Sequence, residues 1–382
     1  MNKKKLFLIH NHKNFSGAAR SLGETIISLK NKVEFTVICP TGSSSKFFKS
    51  LNIRVIEVYM VPRFNHFELG YYKGLRWLLL IREFVAFIYF FYFLVTLKIQ
   101  KSNISQFHLN EIELVILAPL LKLFFNASIS SHLRCPIETK KGKKRFRLLK
   151  SMCRKYISNI IAIDKDCFKT SPLKKISSII YNGINKKNIL VKKNKSKYIT
   201  FGFIGNFIKR KGIYEALEVF SKIKDKHNTK LICVGDIKKK NFLLNFFGFE
   251  RDFKDYIKKK QIMKIKNIKI LPMTFDLRKF YSKIDVILFP GYMNAVGRPV
   301  IEASLLKKPS IIALKNYNSD TAMKNNCLVF YPGDLNSFEQ KIIYLVKNKH
   351  KIKKMGISSF KNARKYFDIK KNSKIFFELI WK

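Results

Sequence analysis

Acidic residues are scarce in this chain of 382 residues. Only 25 aspartates and glutamates stand against 76 lysines and arginines, and the net charge is +51. A net charge this strongly positive favours an anionic partner, such as a nucleic acid, an anionic lipid surface or a phosphate-rich substrate. The alternative is compositional, because lysine, asparagine, isoleucine and phenylalanine are abundant together and the basic residues are spread along the chain. A basic tail and an aromatic–basic recognition motif are also lacking, so no specific nucleic-acid partner is predicted.

Cysteine pairs and clusters of metal ligands are missing as well. The six cysteines show no close spacing typical of a metal or redox site, and several lie within apolar runs. This usage is typical of free thiols in a reducing compartment and predicts a cytoplasmic protein. His10 and His12 are close together, but no third ligand with suitable spacing follows, so we expect no metal site.

Long hydrophobic runs are also lacking. The apolar stretch near the N-terminus is too short for a signal peptide. The most apolar segment, residues 84–97, has fourteen residues, whereas a spanning helix needs about 20. Arg82 and Glu83 interrupt its extension, so we expect a buried core helix. The alternative is an interfacial helix of a protein peripheral to the inner face of the cytoplasmic membrane, because Trp77, many aromatic residues and basic flanks suit the headgroup boundary.

The chain is too long for a single hydrophobic core, so two domains are expected. Short apolar runs alternate with helical patterns, first at residues 5–9, 33–39 and 53–58, and this βαβαβ alternation predicts parallel, Rossmann-like sheets. The charged segment 186–197 is the predicted linker. The expected organisation is an α/β fold with domains at 1–190 and 191–365 and a last helical segment at 366–382.

Residues 289–314 are the most informative stretch. An apolar strand ends at Pro290, a loop follows, and Gly297-Arg298-Pro299 opens a short helix before the next apolar run. Proline fits the first helical turn, and glycine lets backbone amides approach a ligand closely. These amides and the helix dipole favour an anion, most simply a phosphate. Glu302 follows about one turn later, where its carboxylate can accept two hydrogen bonds from a sugar diol. Phosphate and diol together predict a nucleotide site.

At these residues the sequence resembles the donor-binding motif of family 4 retaining glycosyltransferases, whose GT-B architecture has two facing Rossmann-like domains. The resemblance implies an enzyme that moves a sugar from a nucleotide-diphosphate donor to an acceptor with retention of the anomeric configuration. It assigns Glu302 to the nucleotide ribose. Asn294 stands where the family has a glutamate that contacts the donor sugar, and Asn206 stands where it often has an arginine. The resemblance also implies that the last helix crosses back to the first domain, which lies on the acceptor side.

Other positions match the family one by one. Lys211 matches a lysine that contacts the donor phosphates, and the adjacent Arg210 is a candidate to replace the cation missing at Asn206. Gly17 matches a glycine in a loop that approaches the phosphates, and His132 matches a histidine that contacts the donor sugar. The predicted catalytic residues are His132, Asn294 and Arg298, and the predicted donor-binding residues are Gly17, Asn206, Arg210, Lys211, Gly297 and Glu302.

The implied reaction is a hexosyl transfer to a glycan or lipid-linked acceptor during cell-surface polysaccharide or lipopolysaccharide assembly. The nucleotide sugar is a substrate, and no cofactor or metal is expected, because cationic side chains and amides can stabilise the leaving diphosphate. The asparagines at 294 and 206 suggest two alternatives, a non-catalytic GT-B relative or a sugar-nucleotide epimerase. Charge alone suggests a remote alternative, a nucleic-acid-binding protein. For His108 a structural hydrogen bond is favoured, and Arg134 is either an anion contact or a surface residue.

Overall fold

A computed structural model of the chain describes residues 3–66, 77–100, 103–139, 143–185, 198–223, 228–236, 253–274, 276–292, 297–315 and 326–381. The chain divides into two compact units. The first domain comprises Met1–Ile184 and Asp368–Lys382, and the second comprises Asn185–Phe367. The predicted linker, 186–197, lies outside the described residues.

A parallel sheet of seven strands forms the centre of the first domain, with the order β3-β2-β1-β4-β5-β6-β7. Helices cover both faces of this sheet, which is why its strands read as short apolar runs rather than as alternating patterns. The order reverses between β1 and β4, and in such sheets ligands bind outside the carboxyl ends of the strands at this switch point. The strands are β1 Lys4–Ile9, β2 Val33–Pro40, β3 Arg54–Val58, β4 Gln106–Leu109, β5 Ser128–Leu133, β6 Asn159–Ala162 and β7 Ser177–Ile179.

The helices of the first domain form two layers. Right-handed crossovers place the helices between β1 and β3 on one face of the sheet and those between β3 and β6 on the other. Two separate core clusters agree with this division, one containing Phe90, Leu121 and Cys153 and the other containing Leu22 and Phe48. The helices are α1 Gly17–Leu29, α2 Ser43–Lys49, α3 Leu79–Gln100, α4 Ala118–Phe125, α5 Lys143–Tyr156 and α6 Lys165–Lys169.

The second domain has a parallel sheet of six strands in the order β10-β9-β8-β11-β12-β13, whose switch point lies between β8 and β11. Its strands are β8 Ile199–Ile204, β9 Thr229–Gly235, β10 Ile268–Pro272, β11 Val286–Phe289, β12 Ser310–Ala313 and β13 Cys327–Phe330. Its described helices are α7 Ile213–Ile223, α8 Phe253–Lys259, α9 Arg278–Lys283, α10 Arg298–Leu305, α11 Leu335–Lys347 and α12 Lys349–Tyr366.

The last helix, α13 (Ile369–Ile380), belongs to the first domain, so the second domain is an insertion within the first. Asn372 donates from Nδ2 to the carbonyl of Tyr181 at 2.8 Å. A β-carbon at Gly183 would lie 2.6 Å from Cα of Ile369, so only glycine lets the two backbones approach this closely. Phe376 completes the core between α1 and the sheet.

Helix α3 differs most from expectation. It has 22 residues, and only 22% of its most apolar window is buried. The prediction of a buried core helix at residues 84–97 is therefore wrong. Arg82 and Glu83 do not interrupt the helix, because the buried Glu83 carboxylate accepts hydrogen bonds from the backbone N–H of Arg63 and from Arg82, each at 3.0 Å. By length and composition alone, α3 is long and apolar enough to cross a membrane.

Candidate functional site

The loops after β8 and β11 are joined at the carboxyl edge of the second sheet. Gly212 adopts φ +79°, and a β-carbon there would lie 2.2 Å from the carbonyl oxygen of Pro290. The N–H of Tyr292 donates to the carbonyl of Arg210 at 3.0 Å. Gly212 is therefore required both by its backbone conformation and by the contact with the neighbouring loop. We use the name second-sheet edge for residues 205–212 and 290–292 together with the start of α10 at Gly297.

Three of the predicted donor-binding residues meet at the second-sheet edge. Asn206 is half-buried and directly follows Gly205, the first residue after β8, which has φ +151°. Arg210 is exposed, and Lys211 is half-buried with its Nζ 6.0 Å from the centre of the Phe289 ring. These three residues thus lie in the loop at one edge of the sheet, and their contacts with a donor stay predictions.

The start of α10 lies at the same edge. Gly297 is the residue before the helix, Pro299 lies in the first turn, and none of the described side chains caps the helix at Gly297. The N–H of Val300 donates to the carbonyl of Gly297 at 3.0 Å. A helix start without a side-chain cap is suited to an anion. A β-carbon at Gly297 would lie 2.4 Å from the Phe289 ring, so this glycine allows the turn to pack on the end of β11. Asn294, in the preceding loop, lies outside the described residues.

Glu302 and Arg298 form a buried ion pair. Arg298 Nε donates to Glu302 Oε1 at 2.7 Å, and the Tyr281 hydroxyl donates to Oε2 at 2.5 Å. The side chains of Arg298 and Glu302 are 8% and 1% exposed. Both carboxylate oxygens thus already accept a hydrogen bond within the domain, which the sequence did not indicate. Tyr281 was missed because its position in α9 carries no signal of this contact.

A second tyrosine fixes the loop after β11. The hydroxyl of Tyr292 donates to Glu215 Oε1 in α7 at 2.5 Å. Burial and the adjacent carboxylate both raise the pKa of Tyr292, so the phenol stays protonated and keeps donating at neutral pH. This contact holds the loop on the helix that follows Lys211.

In the first domain, a buried polar network lies at the carboxyl edge of the sheet. Arg134 donates to Asn110 Oδ1 at 2.6 Å, to the Asn110 carbonyl at 2.8 Å and to Asn182 Oδ1 at 3.1 Å. Arg134 is buried and joins the segments that follow β4 and β7, so the alternative of a surface residue is wrong. A contact of Arg134 with an anion stays a prediction.

This network also fixes the tautomer of His10. Because Arg134 has only donors, Oδ1 of Asn110 must face it, and the Asn110 Nδ2 must then donate to His10 Nδ1, 2.9 Å away. Burial lowers the pKa of His10 well below its usual value, so the ring is neutral and carries its hydrogen on Nε2. Nε2 is buried without a hydrogen-bond partner in the described part of the chain. A buried donor of this kind calls for a water molecule or a ligand.

His132 is enclosed rather than lying open at the strand end. Its Nδ1 is 2.6 Å from His108 Nε2, its ring stacks on Phe376 at 5.9 Å, and the side chain is buried. Burial lowers the pKa of both histidines, so both rings are neutral. His108 has the structural role that was predicted, with Ser130 at its other nitrogen. Because Nδ1 of His132 already contacts His108, His132 would contact a ligand through its Nε2.

Gly17 is the first residue of α1, and a β-carbon there would meet no atom within 4 Å. Ser16 caps the helix by accepting the N–H of Ala19 at 3.3 Å. The space beside Gly17 is compatible with the predicted approach of phosphates, which stays a prediction. Among the residues that the structure describes, no group of three histidine, cysteine, aspartate or glutamate side chains could hold a metal ion.

Two glutamates after β4 were missed by the sequence reasoning, although polar residues directly after a parallel strand are a usable signal. Glu111 is buried, and its Oε1 lies 3.8 Å from Nε2 of the half-exposed His12. The pKa of Glu111 is raised to about 8, chiefly by burial and also by Glu113, while Arg134 and Arg63 oppose the rise. Glu111 therefore holds a proton near neutral pH.

We expect Glu111→Gln to make the first domain more stable than wild type at pH 8 and to change little at pH 5. The raised pKa of Glu111 means that the folded chain keeps a proton that the unfolded chain loses above its ordinary pKa near 4.5. Between these values the wild type loses about 1.4 kcal/mol of stability per pH unit, and glutamine, which does not titrate, removes this loss. Denaturant unfolding followed by tryptophan fluorescence reports this domain, because both tryptophans, Trp77 and Trp381, lie in it. Parallel pH curves for the two proteins would contradict the expectation.

Comparison with known proteins shows what the chain is similar to. Residues 185–364, slightly less than half of the chain, match the family model described as glycosyl transferases group 1. Over these residues the chain is similar to the group 1 glycosyltransferases. The capsular polysaccharide biosynthesis glycosyltransferase CapM of Staphylococcus aureus is 27% identical over 264 residues, which cover 63% of this chain and 66% of CapM. The chain thus spans slightly less than two thirds of the length of this relative.

Solved structures resemble this chain over almost its whole length. Anabaena HepE in complex with UDP-glucose has a TM-score of 0.74 and 14% identity, and the match covers 98% of both chains. A glycosyltransferase from Rickettsia africae has a TM-score of 0.70 and 16% identity, with 100% of this chain and 98% of that chain covered. At such low sequence identities, the structural similarity shows a shared fold and nothing about the reaction or its substrates. The predicted α/β fold class with GT-B architecture is confirmed.

Proposed function

We propose that this protein is a glycosyltransferase that moves a sugar from a nucleotide-diphosphate donor to a glycan or lipid-linked acceptor, with retention, in cell-surface polysaccharide assembly. One observation carries the proposal. The second-sheet edge brings Lys211 and Arg210 to the same edge of one sheet as the start of α10, which no described side chain caps. Cations and backbone amides at a switch point are what a diphosphate requires.

The relatives support the class of donor and product. HepE is a structural neighbour seen with UDP-glucose, and CapM is by name a capsular polysaccharide biosynthesis enzyme. UDP is therefore the first nucleotide to test, and a hexose the first sugar. A cytoplasmic location suits the free cysteines, five of which are buried.

The proposed mechanism is electrostatic. Negative charge develops on the leaving diphosphate, and Lys211, Arg298 and the amides around Gly297 stabilise it, with Arg210 as a further cation. Asn294 and His132 orient the donor sugar, Glu302 receives the ribose, and Gly17 leaves room for the phosphates, while Asn206 contributes no cation to this site. His132 is neutral, because burial lowers its pKa, and so acts through hydrogen bonding rather than charge. The nucleotide sugar is a substrate, and this mechanism requires no metal or cofactor.

Thermal unfolding with UDP, GDP, ADP and CMP, with and without EDTA, tests the proposal. At 100 times its dissociation constant, a nucleotide should stabilise the second domain by about 2.7 kcal/mol. We expect one diphosphate to raise the melting temperature of wild type, insensitively to EDTA, and to do so much less for Lys211→Ala. If no nucleotide stabilises the wild type, the proposed function fails. Epimerised free donor formed without an acceptor would favour the epimerase instead.

A further inference from the structure

The outer face of α3 is apolar and exposed. Five residues at helical spacing, including Ala86, Phe90 and Leu94, bury one stripe of α3. The opposite side of the helix should carry polar residues if it faced water. It carries large apolar side chains instead, each between 43% and 79% exposed: Ile81, Phe84, Val85, Ile88, Tyr92 and Ile99. At 1.5 Å per residue this strip is about 27 Å long.

A cationic helix lies in the same layer. Helices α3 and α5 both pack against α4, and all three bury their inner sides in one core cluster on the same face of the sheet. Their outer sides therefore point the same way. Helix α5, KKRFRLLKSMCRKY, has seven basic residues and no acidic ones. Leu123 of α4, 75% exposed, and Leu148 of α5, 52% exposed, extend the apolar strip toward these cations.

We infer that this outer surface of α3, α4 and α5, the helical face, docks on an anionic lipid bilayer. An apolar strip beside lysines and arginines is the pattern of a helix lying in the plane of the headgroups. Trp77, just before α3, and Tyr92 suit the same depth. A second copy of the chain is a poorer occupant, because two chains of net charge +51 repel each other.

Docking in the plane fits the packing of α3 better than insertion across the bilayer. The buried stripe of α3 contacts the core of the first domain, so lipid cannot surround the helix. The helix would enter the interface from its outer side only. Glu83 supports this orientation, because its carboxylate lies on the protein side, next to Arg63.

Vesicle flotation of the full chain tests the inference. We expect wild type to float with phosphatidylcholine vesicles that contain phosphatidylglycerol and to float weakly with phosphatidylcholine alone. The triple variant Phe84→Gln, Ile88→Gln, Tyr92→Gln should bind at least tenfold more weakly, and it should fold because all three side chains are exposed. Lys143→Gln, Arg147→Gln, Lys150→Gln on α5 should weaken binding to the anionic vesicles, by about fivefold for each removed cation. The matched control removes three exposed lysines of α12: Lys353, Lys354 and Lys361.

The fluorescence of Trp77, which lies just before α3, tests whether the membrane contact is at this helix. Trp381 packs on Phe377 at 4.8 Å, and Trp381→Phe leaves Trp77 as the single reporter. Its emission should shift to the blue on addition of anionic vesicles, and the emission of Trp77→Phe should not.

Three outcomes would overturn the inference. Wild type could stay unbound with anionic vesicles at low salt, or the triple glutamine variant could float like wild type. A wild-type dimer that the same substitutions convert to a monomer, without vesicle binding, would show that a second copy covers the helical face. The docking does not depend on donor binding, so nucleotide stabilisation and vesicle flotation can succeed or fail separately.

Discussion

Glu302→Ala should destabilise the second domain by about 3–5 kcal/mol, because it leaves the guanidinium of Arg298 buried without its counter-ion. The side chain of Arg298 is only 8% exposed, and the Tyr281 hydroxyl loses its acceptor at the same time. Circular dichroism melting should show the loss, while the tryptophan signal of the first domain should change little, since that domain contains both tryptophans.

Glu218→Ala is the matched control for this loss. Glu218 pairs with Lys222 at the same i, i+4 spacing, but at 3.6 Å and with both side chains about half exposed. Removing it should cost about 0.5 kcal/mol or less. Equal melting temperatures for the two alanine variants would contradict the importance of the buried pair. The large loss also means that inactivity of Glu302→Ala would not by itself demonstrate a ribose contact.

Lys211→Ala should lower kcat/KM for the nucleotide sugar by about 10²- to 10³-fold, the effect of removing one group that stabilises developing negative charge. The melting temperature should barely change, because Lys211 is half-buried and is not part of the core. Sugar transfer measured with saturating acceptor gives the effect on the donor step.

Lys209→Ala provides the comparison for Lys211. Both lysines lie on the same short 3-10 turn, Lys209–Lys211, and Lys209 is exposed. Its removal takes away the same charge and should leave kcat/KM within about twofold, since exposed charges interact weakly. Equal losses for the two variants would show a general charge effect and would remove Lys211 from the proposed mechanism.

The sequence was sufficient for the fold because its signals are local. Strands buried on both faces read as apolar runs, and Gly297-Arg298-Pro299 marks the start of α10 through backbone chemistry. Asn206, Arg210 and Lys211 follow a strand end, so their position at the sheet edge could be predicted from spacing.

The burial of the site side chains and their hydrogen-bond partners could not be predicted in the same way, because both depend on residues that are far apart in the chain. Tyr281 reaches Glu302 across 21 positions, and Arg134 reaches Asn182 across 48. For α3 the difficulty is different. A helix that is apolar all round gives no periodicity from which to tell its covered side from its exposed side.

The insertion of one domain within the other has a consequence for synthesis of the chain. The first domain lacks α13 until the ribosome has added nearly 200 residues beyond Ile184, because α13 ends at Ile380. At ordinary elongation rates this takes roughly 10–40 s. Until then the surface of α1 that Phe376 and Ile380 later cover is open, whereas Asn185–Phe367 emerges as one continuous piece. The first domain is therefore begun before the second domain but completed after it. A nascent chain that ends before α13 leaves the first domain incomplete.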